Sequence, residues 1–408
     1  MRKDIPRRAQ AIVIAASLGD LAVMGLRLAV VWYLSGLSHH LGVLVWLYVL
    51  MELPYLILMV PSGIWADRVA RFPLFAMGAM VRIGVIGLGT LWLTSHIASA
   101  AVVVTIMVAQ ECAAAVAQPA RSAWTTELVP QESRGALTVW KESGAALAEL
   151  SGPALAGVAY GFWKLTGTMF SALMLGLLSL TVVLLLGRRF GKSGEVGAPA
   201  GGFRDGWHFL RTQPGLLVMM IFFAATNGLN NVEAVLVPLL ARYILHLHSA
   251  EFGALAGLSA LGMLIGVNLG GRFLIGRSLL WVFCAMGVFG AAIAAMGLAR
   301  TLWVLDGLYF VLGFSFGLTE VVTGTLWQVL VPSSVRGQVM AALSTVARSA
   351  NPVGYLLAGL LGAWLGLSGG LIAGGMSIVV LAAVVPGFPS VKGLDAAAQQ
   401  VVGQVATK

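Results

Sequence analysis

The chain has 408 residues, of which 59% are hydrophobic and only 10% charged, with a mean hydropathy of +0.92. A soluble domain carries roughly 25% charged residues because water must be met by polar surface, so this composition excludes a cytosolic enzyme, a nucleic-acid module and a disordered scaffold. It is that of an integral membrane protein, and the net charge of +9 then reflects Lys- and Arg-rich cytoplasmic loops rather than a nucleic-acid partner.

In chain order, Arg2, Lys3, Arg7 and Arg8 precede an apolar stretch from about Ala9 to Leu34. That stretch is too long for a signal-peptide core and no small-residue cleavage site follows it, so it reads as an uncleaved first span. A span needs about 20 predominantly apolar residues. On that criterion spans fall near 9–34, 41–63, 73–94, 97–120, 136–161 and 166–187, and then near 215–240, 252–271, 278–299, 302–328, 337–365 and 368–386. The polar stretch Gly191–Gly206 separates six from six, and Phe203–Arg211 has the pattern of a short amphipathic surface helix. The expected organisation is a six-helix bundle over 1–190, a cytoplasmic linker over 191–213, a second bundle over 214–386 and a cytoplasmic tail over 387–408.

With both termini placed in the cytoplasm, Arg68, Arg71, Arg121, Arg134, Arg188, Arg189, Lys192, Arg204, Arg211, Arg272, Arg277, Arg336, Lys392 and Lys408 all fall inside. Arg27, Arg82, Lys141 and Arg348 fall within spans, only Lys164, Arg242 and Arg300 remain for outer loops, and this asymmetry sets the orientation. Most tryptophans, Trp32 and Trp124 among them, fall near span ends, as an interfacial belt requires. Cys112 and Cys284 sit in apolar runs of opposite halves, with no spacing that suggests a disulfide or a metal site.

The halves repeat. Leu128-Val129-Pro130 with Arg134-Gly135 recurs 202 residues later as Leu330-Val331-Pro332 with Arg336-Gly337, and at the same offset Gly152 matches Gly354 and Ala156-Gly157 matches Ala358-Gly359. Between spans two and three stands Gly63-Ile64-Trp65-Ala66-Asp67-Arg68-Val69-Ala70-Arg71. This segment resembles the G-x-x-x-D-R-x-G-R loop of the major facilitator superfamily, with Ala70 where glycine is usual. The resemblance implies a twelve-helix, all-α membrane fold of two pseudo-symmetric six-helix bundles, consistent with a duplicated six-span unit. It also implies that Gly63, Asp67, Arg68 and Arg71 form an inner gate; a local loop salt bridge is the plainer reading.

Span five carries Gly152-Pro153-Ala154-Leu155-Ala156-Gly157, which resembles the G-P-x-x-G-G signature associated with exporters. Pro153 removes the helical bond to the carbonyl of Glu149 and kinks the helix, although a close-packed kink without directional meaning explains the same residues. The glycines Gly262, Gly266 and Gly270 of span eight offer a partner face for it. Ser17-Leu18-Gly19-Asp20, the gate segment, Pro119 and the span-five motif together look like the macrolide-efflux and enterobactin-exporter branch. Met107 stands where antiporters of the family usually carry an arginine.

Six acids fall within spans: Asp20, Glu52, Glu111, Glu149, Glu233 and Glu320. A charge at a helix centre costs roughly 2.5–3.5 kcal/mol against lipid, so each must meet a cavity, a partner or a proton. In the resembled fold spans one, four, seven and ten line the central cavity, and they hold Asp20, Glu111, Glu233 and Glu320. Arg27, seven residues after Asp20 on the same face, is a candidate partner for it, and Arg82 either is another or snorkels to the interface. Asn227, Asn230 and Asn231, with Gly228, suggest a locally opened seventh helix lining a polar cavity. The histidines near outer ends read as loop residues, and Gly187-x3-Gly191-Lys192-Ser193 is one residue short of a phosphate loop and lacks its strand.

The expected function is proton-coupled efflux of amphipathic small molecules, drug-like or siderophore-like, by alternating access. No enzymatic activity, cofactor, metal or nucleic acid is expected, and the proton gradient supplies the energy, about 2.3 kcal/mol per proton at 100 mV. The partners are then a small-molecule substrate, protons and the lipid bilayer, with the chain a monomer in a bacterial plasma membrane. Two other readings stay open: a ferroportin-like divalent-metal exporter, and a non-transporting membrane protein such as a lipid scramblase or sensor.

Overall fold

The computed structural model describes residues 5–37, 41–96, 99–187, 203–273, 279–332 and 335–394, and the regular structure among them is helical, with no strand. In chain order the α-helices are α1 (Arg7–Leu37), α2 (Leu41–Arg68), α3 (Arg71–Ser95), α4 (Ala100–Glu127), α5 (Arg134–Gly187), α6 (Phe203–Thr212), α7 (Pro214–Tyr243), α8 (Ser249–Phe273), α9 (Leu280–Met296), α10 (Leu302–Leu330) and α11 (Arg336–Val384).

Two of these are double. A straight helix of 54 residues would run about 80 Å, far beyond the roughly 30 Å of a bilayer core. Instead α5 breaks at Lys164 (φ 54°, ψ −164°) and α11 at Gly366 (φ 73°, ψ 175°). The chain doubles back at each break: Gly152 and Ser179, on the two legs of α5, both lie against α1, and Gly354 and Gly374, on the two legs of α11, both lie against α7. Counting each leg and leaving out the ten-residue α6, the described helices supply twelve crossings.

Several boundaries differ from those expected. Helix α2 runs through Arg68, so the segment from Gly63 to Arg68 is helical and the turn into α3 is only Val69 and Ala70. Ala70 has φ −56° and ψ 123°, a conformation open to any residue, which accounts for the absence of glycine there. Helix α4 continues past Pro119 to Glu127 and so places Arg121 inside the helix rather than in a loop. Helix α7 is continuous across Asn227–Asn231, not opened. The motif residues Arg188, Arg189, Gly191, Lys192 and Ser193, together with His39, His40 and Arg277, lie outside the described residues.

The chain divides into two compact units. Unit 1 holds residues 1–38, 46–199 and 248–256; unit 2 holds 39–45, 200–247 and 257–408. In unit 1, α1 packs along α5, and α3 packs on α4 and α5. The α1–α5 seam is made of small residues: a Cβ on Gly152 would lie 2.9 Å from the Leu21 carbonyl oxygen, and one on Gly25 would lie 3.0 Å from the Gly152 carbonyl oxygen. Gly157 meets Gly253 of α8, where a Cβ would come within 2.8 Å of its Cα. At the other end of α4, Trp124 is buried between Phe72 and Phe75, with ring centroids 5.1 and 5.6 Å away. Trp124 and Trp32, which stacks on Phe252, are therefore core residues and not part of an interfacial belt. Trp46, Trp92, Trp163, Trp303 and Trp364 are exposed.

In unit 2, α11 packs along α7 and α9, and α9 packs on α10. The glycines expected to serve span five do something else: Gly262, Gly266 and Gly270 face α10, where a Cβ on Gly262 or Gly266 would overlap the carbonyl of Phe310 or Phe314. Gly313 and Gly317 of α10 reciprocate against Ser259 and Met263. Glycines on both partners let two backbones approach more closely than any side chain permits.

Candidate functional site

Polar side chains gather within each unit. In unit 1, α1 presents Asp20 and Arg27 two turns apart on one face, and the antiparallel α4 answers with Arg121 and Glu111. Arg121 Nη1 and Nη2 donate to Asp20 Oδ1 and Oδ2 at 2.6 and 2.5 Å, a bidentate ion pair with both side chains about one-fifth exposed. Arg27 Nη2 donates to Glu111 Oε1 at 3.1 Å. The expected pairing is thus corrected: Asp20 is held by Arg121, and Arg27 serves Glu111. The error follows from ending span four at residue 120, which made Arg121 a loop cation.

The second pair extends onto α3. Gln110 Nε2 donates to Glu111 Oε1 at 3.0 Å, and Arg82 Nε donates to Gln110 Oε1 at 2.9 Å, giving a chain Arg27–Glu111–Gln110–Arg82 across three helices. A cavity of about 80 Å³ opens between α1, α3, α4 and the second leg of α5, and Asp20, Arg82, Gln118, Arg121 and Ser179 are its polar lining. Glu52 is buried on α2, and Glu149 is exposed on α5, four residues before Pro153.

Of the expected gate, Arg71 opens α3 and forms an ion pair with Glu127 at the end of α4, in the same unit, and Arg68 is exposed. The surroundings of Gly63 and the side chain of Asp67 lie outside what the structure describes. Lys141 Nζ donates to Thr125 Oγ1 at 2.9 Å, tying α5 to α4 near the same end.

In unit 2 the polar face of α7 is used in two directions. Toward α11, Asn227 Nδ2 donates to Asn351 Oδ1 at 2.9 Å and to the Ala347 carbonyl at 3.0 Å, and Asn231 Nδ2 donates to Asn351 Oδ1 at 3.1 Å. Pro352 follows, and its ring removes the helical bond to the carbonyl of Arg348. The Ala347 carbonyl that Asn227 reaches is one residue before the carbonyl that Pro352 leaves without its helical donor. Toward α10, Glu233 accepts a hydrogen bond from Tyr309 Oη, its only partner among the described residues. Asn230 Oδ1 is buried with no hydrogen-bond partner among the described residues. Glu320 is exposed on α10, and its carboxylate makes no hydrogen bond or ion pair among them. Tyr309 and Asn351 were not anticipated; a single amide preceding a proline in the apolar eleventh span was the available signal.

Among the described residues no three His, Cys, Asp or Glu side chains come close enough to share a metal ion. His96, His246 and His248 are exposed, and Cys112 and Cys284 are free thiols.

The whole chain resembles known transporters. A Bacillus subtilis (strain 168) protein described as an uncharacterized MFS-type transporter, YfiS, is 22% identical over 349 residues, covering 81% of this chain and 80% of that protein. Among solved structures, a bacterial homolog to the human lysosomal transporter Spinster, in an inward-facing and unoccupied conformation, matches with a TM-score of 0.73 at 14% identity, covering 97% of both chains. A POT family transporter in complex with a thioalcohol-conjugated peptide matches at 0.74 and 13% identity, over 93% of this chain and 95% of that one. A bacterial homologue of the iron transporter ferroportin matches at 0.70 and 17% identity, over 94% and 99%. At these identities the structures speak to the fold. The family is carried by a sequence model described as Major Facilitator Superfamily, which matches residues 12–354. With two six-span halves joined in one all-helical chain, the protein belongs to the Major Facilitator Superfamily: it is a multi-pass membrane transporter and not an enzyme.

Proposed function

We propose that this transporter exports amphipathic small molecules in exchange for protons, and that Glu233 is the proton-carrying acid. The observation that carries the proposal is the contrast between the units. Asp20 and Glu111 each face an arginine, so protonating either would leave a guanidinium uncompensated at membrane depth, which costs several kcal/mol. Glu233 faces a neutral phenol instead. A phenol donates to a carboxylate and accepts from a carboxylic acid, so Glu233 keeps its hydrogen bond whether or not it carries a proton. It can load and release without breaking an ion pair.

On this reading the unit 1 pairs hold α1 against α4 through the cycle, and the acids of unit 2 respond to the gradient. A proton entering from outside would neutralise Glu233, favour return of the emptied carrier and leave inward. The outward direction rests on the exporter-like span-five motif, whose Gly152 also has a packing role against α1.

A growth-inhibition panel of macrolides, dyes and catechol chelators in a pump-deficient bacterium would identify the cargo. In proteoliposomes, its flux in wild-type protein should follow an imposed pH gradient. Glu233→Gln should retain exchange between equal cargo concentrations and lose the response to the gradient. Gradient-driven flux at wild-type rate in Glu233→Gln would remove the proposal.

A further inference from the structure

The cavity in unit 1 has a surplus of donors. It is bounded largely by small side chains, Ala16, Gly19, Gly78, Ala117 and Gly176 among them, which leave about 80 Å³ free. A water needs roughly 10–15 Å³, so a carboxylate group and a water or two fit. Arg121 commits both terminal nitrogens to Asp20. Arg82 does not: its Nε is spent on Gln110, and among the described residues neither of its Nη atoms meets an acceptor. A guanidinium carries five N–H donors, four of them on the two Nη atoms. The charged groups that act on Arg82 are Glu111, Asp20, Arg121 and Arg27. Three arginines therefore stand against two acids, both acids already accept from other arginines, and the surplus positive charge lines the cavity.

We propose that this cavity binds a carboxylate of the substrate, held by the two Nη atoms of Arg82. A guanidinium fork matches the two oxygens of a carboxylate. The Gln110 bond fixes the fork's orientation from behind, and Arg121 covers the charge of Asp20 that would otherwise repel an anion. The Gln118 amide and Ser179 hydroxyl are the further polar groups of the lining. The cargo class is then an amphipathic organic acid. This assignment names the substrate class of the transport reading above and rests on it, but binding and transport are read separately.

The probes are acetate and salicylate, with salicylamide as the uncharged counterpart, titrated against the purified full-length protein in detergent by thermal shift and calorimetry. Wild-type protein should be stabilised by acetate and salicylate and not by salicylamide. Arg82→Gln should weaken salicylate about 30- to 100-fold, and Arg82→Lys, which keeps the charge without the fork, about 10-fold. Arg211→Gln, on α6, should leave binding unchanged. Equal responses to salicylate and salicylamide, or no response to either carboxylate, overturn the assignment on wild-type protein alone, whether or not the variants fold. Undiminished affinity in a folded Arg82→Gln overturns it too. Carboxylate binding without flux in proteoliposomes would instead keep the site and refute the transport reading.

Discussion

The bidentate pair between Asp20 and Arg121 is open to a quantitative test. Asp20→Asn leaves Arg121 charged and uncompensated inside unit 1, and Arg121→Gln does the reverse. Both side chains are about one-fifth exposed and joined by two bonds of 2.5–2.6 Å. At an effective dielectric near 20 the pair gains about 4 kcal/mol of gross Coulomb energy. Desolvation offsets much of that in the intact pair, yet removing one partner exposes the penalty in full, about 3–5 kcal/mol. The double variant Asp20→Asn/Arg121→Gln removes both charges and should lose only about 1–2 kcal/mol, a coupling of at least 2 kcal/mol. Arg27 and Glu111 share one bond at 3.1 Å, and Arg27 is 34% exposed, so solvent screens the pair and its coupling should be about 1 kcal/mol or less. SDS titration followed by circular dichroism, on each single and double variant, gives both cycles. Additive effects at Asp20 and Arg121, with a coupling under about 0.5 kcal/mol, would show that the pair does not hold α1 to α4.

Lys164 occupies a backbone region nearly reserved for glycine, so Lys164→Gly should raise stability by about 1–3 kcal/mol, while Gly366→Lys, with open space around it, should lose a similar amount, both read from melting curves. Gly354→Ala would drive a methyl into the Gly228 carbonyl and should sharply reduce the folded yield, whereas Gly324→Ala, with nothing within 4 Å, should be neutral or stabilising by up to about 1 kcal/mol. Asn351→Leu strands the Asn231 amide and leaves Asn227 only the Ala347 carbonyl, and should cost about 2–4 kcal/mol in the same SDS titration, with Asn351→Asp, which keeps the acceptor, recovering most of it.

Much of the fold was legible because a bilayer imposes a length rule on apolar runs, and that rule does not depend on tertiary contacts. Where it misled, the cause was a charge taken as a boundary. Arg121 ended the apolar count of span four, yet the helix carries on for six residues because Asp20 compensates the charge from another helix. Sequence can show that an acid in the membrane needs a partner. It cannot choose between Arg27, two turns away on the same helix, and Arg121, on a different helix, because that choice depends on how α1 and α4 run past each other. The glycine stripe of α8 shows the same limit: small-residue spacing announces close packing without naming the helix that packs.

The internal repeat sharpens this division between backbone and chemistry. At the offset of 202 that aligns Leu128-Val129-Pro130 with Leu330-Val331-Pro332, Lys164 falls on Gly366, and these are the positions where α5 and α11 break. Gly152 falls on Gly354, and each sits at a close approach, the first to α1 and the second to α7. The devices that shape the chain therefore recur. The polar residues do not: at the same offset Glu111 faces Gly313, Arg121 faces Thr323, and Glu149 faces Asn351. Where unit 1 places an acid bonded to an arginine, unit 2 places a glycine pressed against the α8 backbone. One half holds paired charges with a spare arginine, and the other holds an amide ladder and an acid bonded to a phenol. On the proposed reading, a symmetric scaffold with asymmetric chemistry lets a carrier bind a cargo and a proton by different means, and the first test of proton coupling then falls at Glu233 rather than at Asp20.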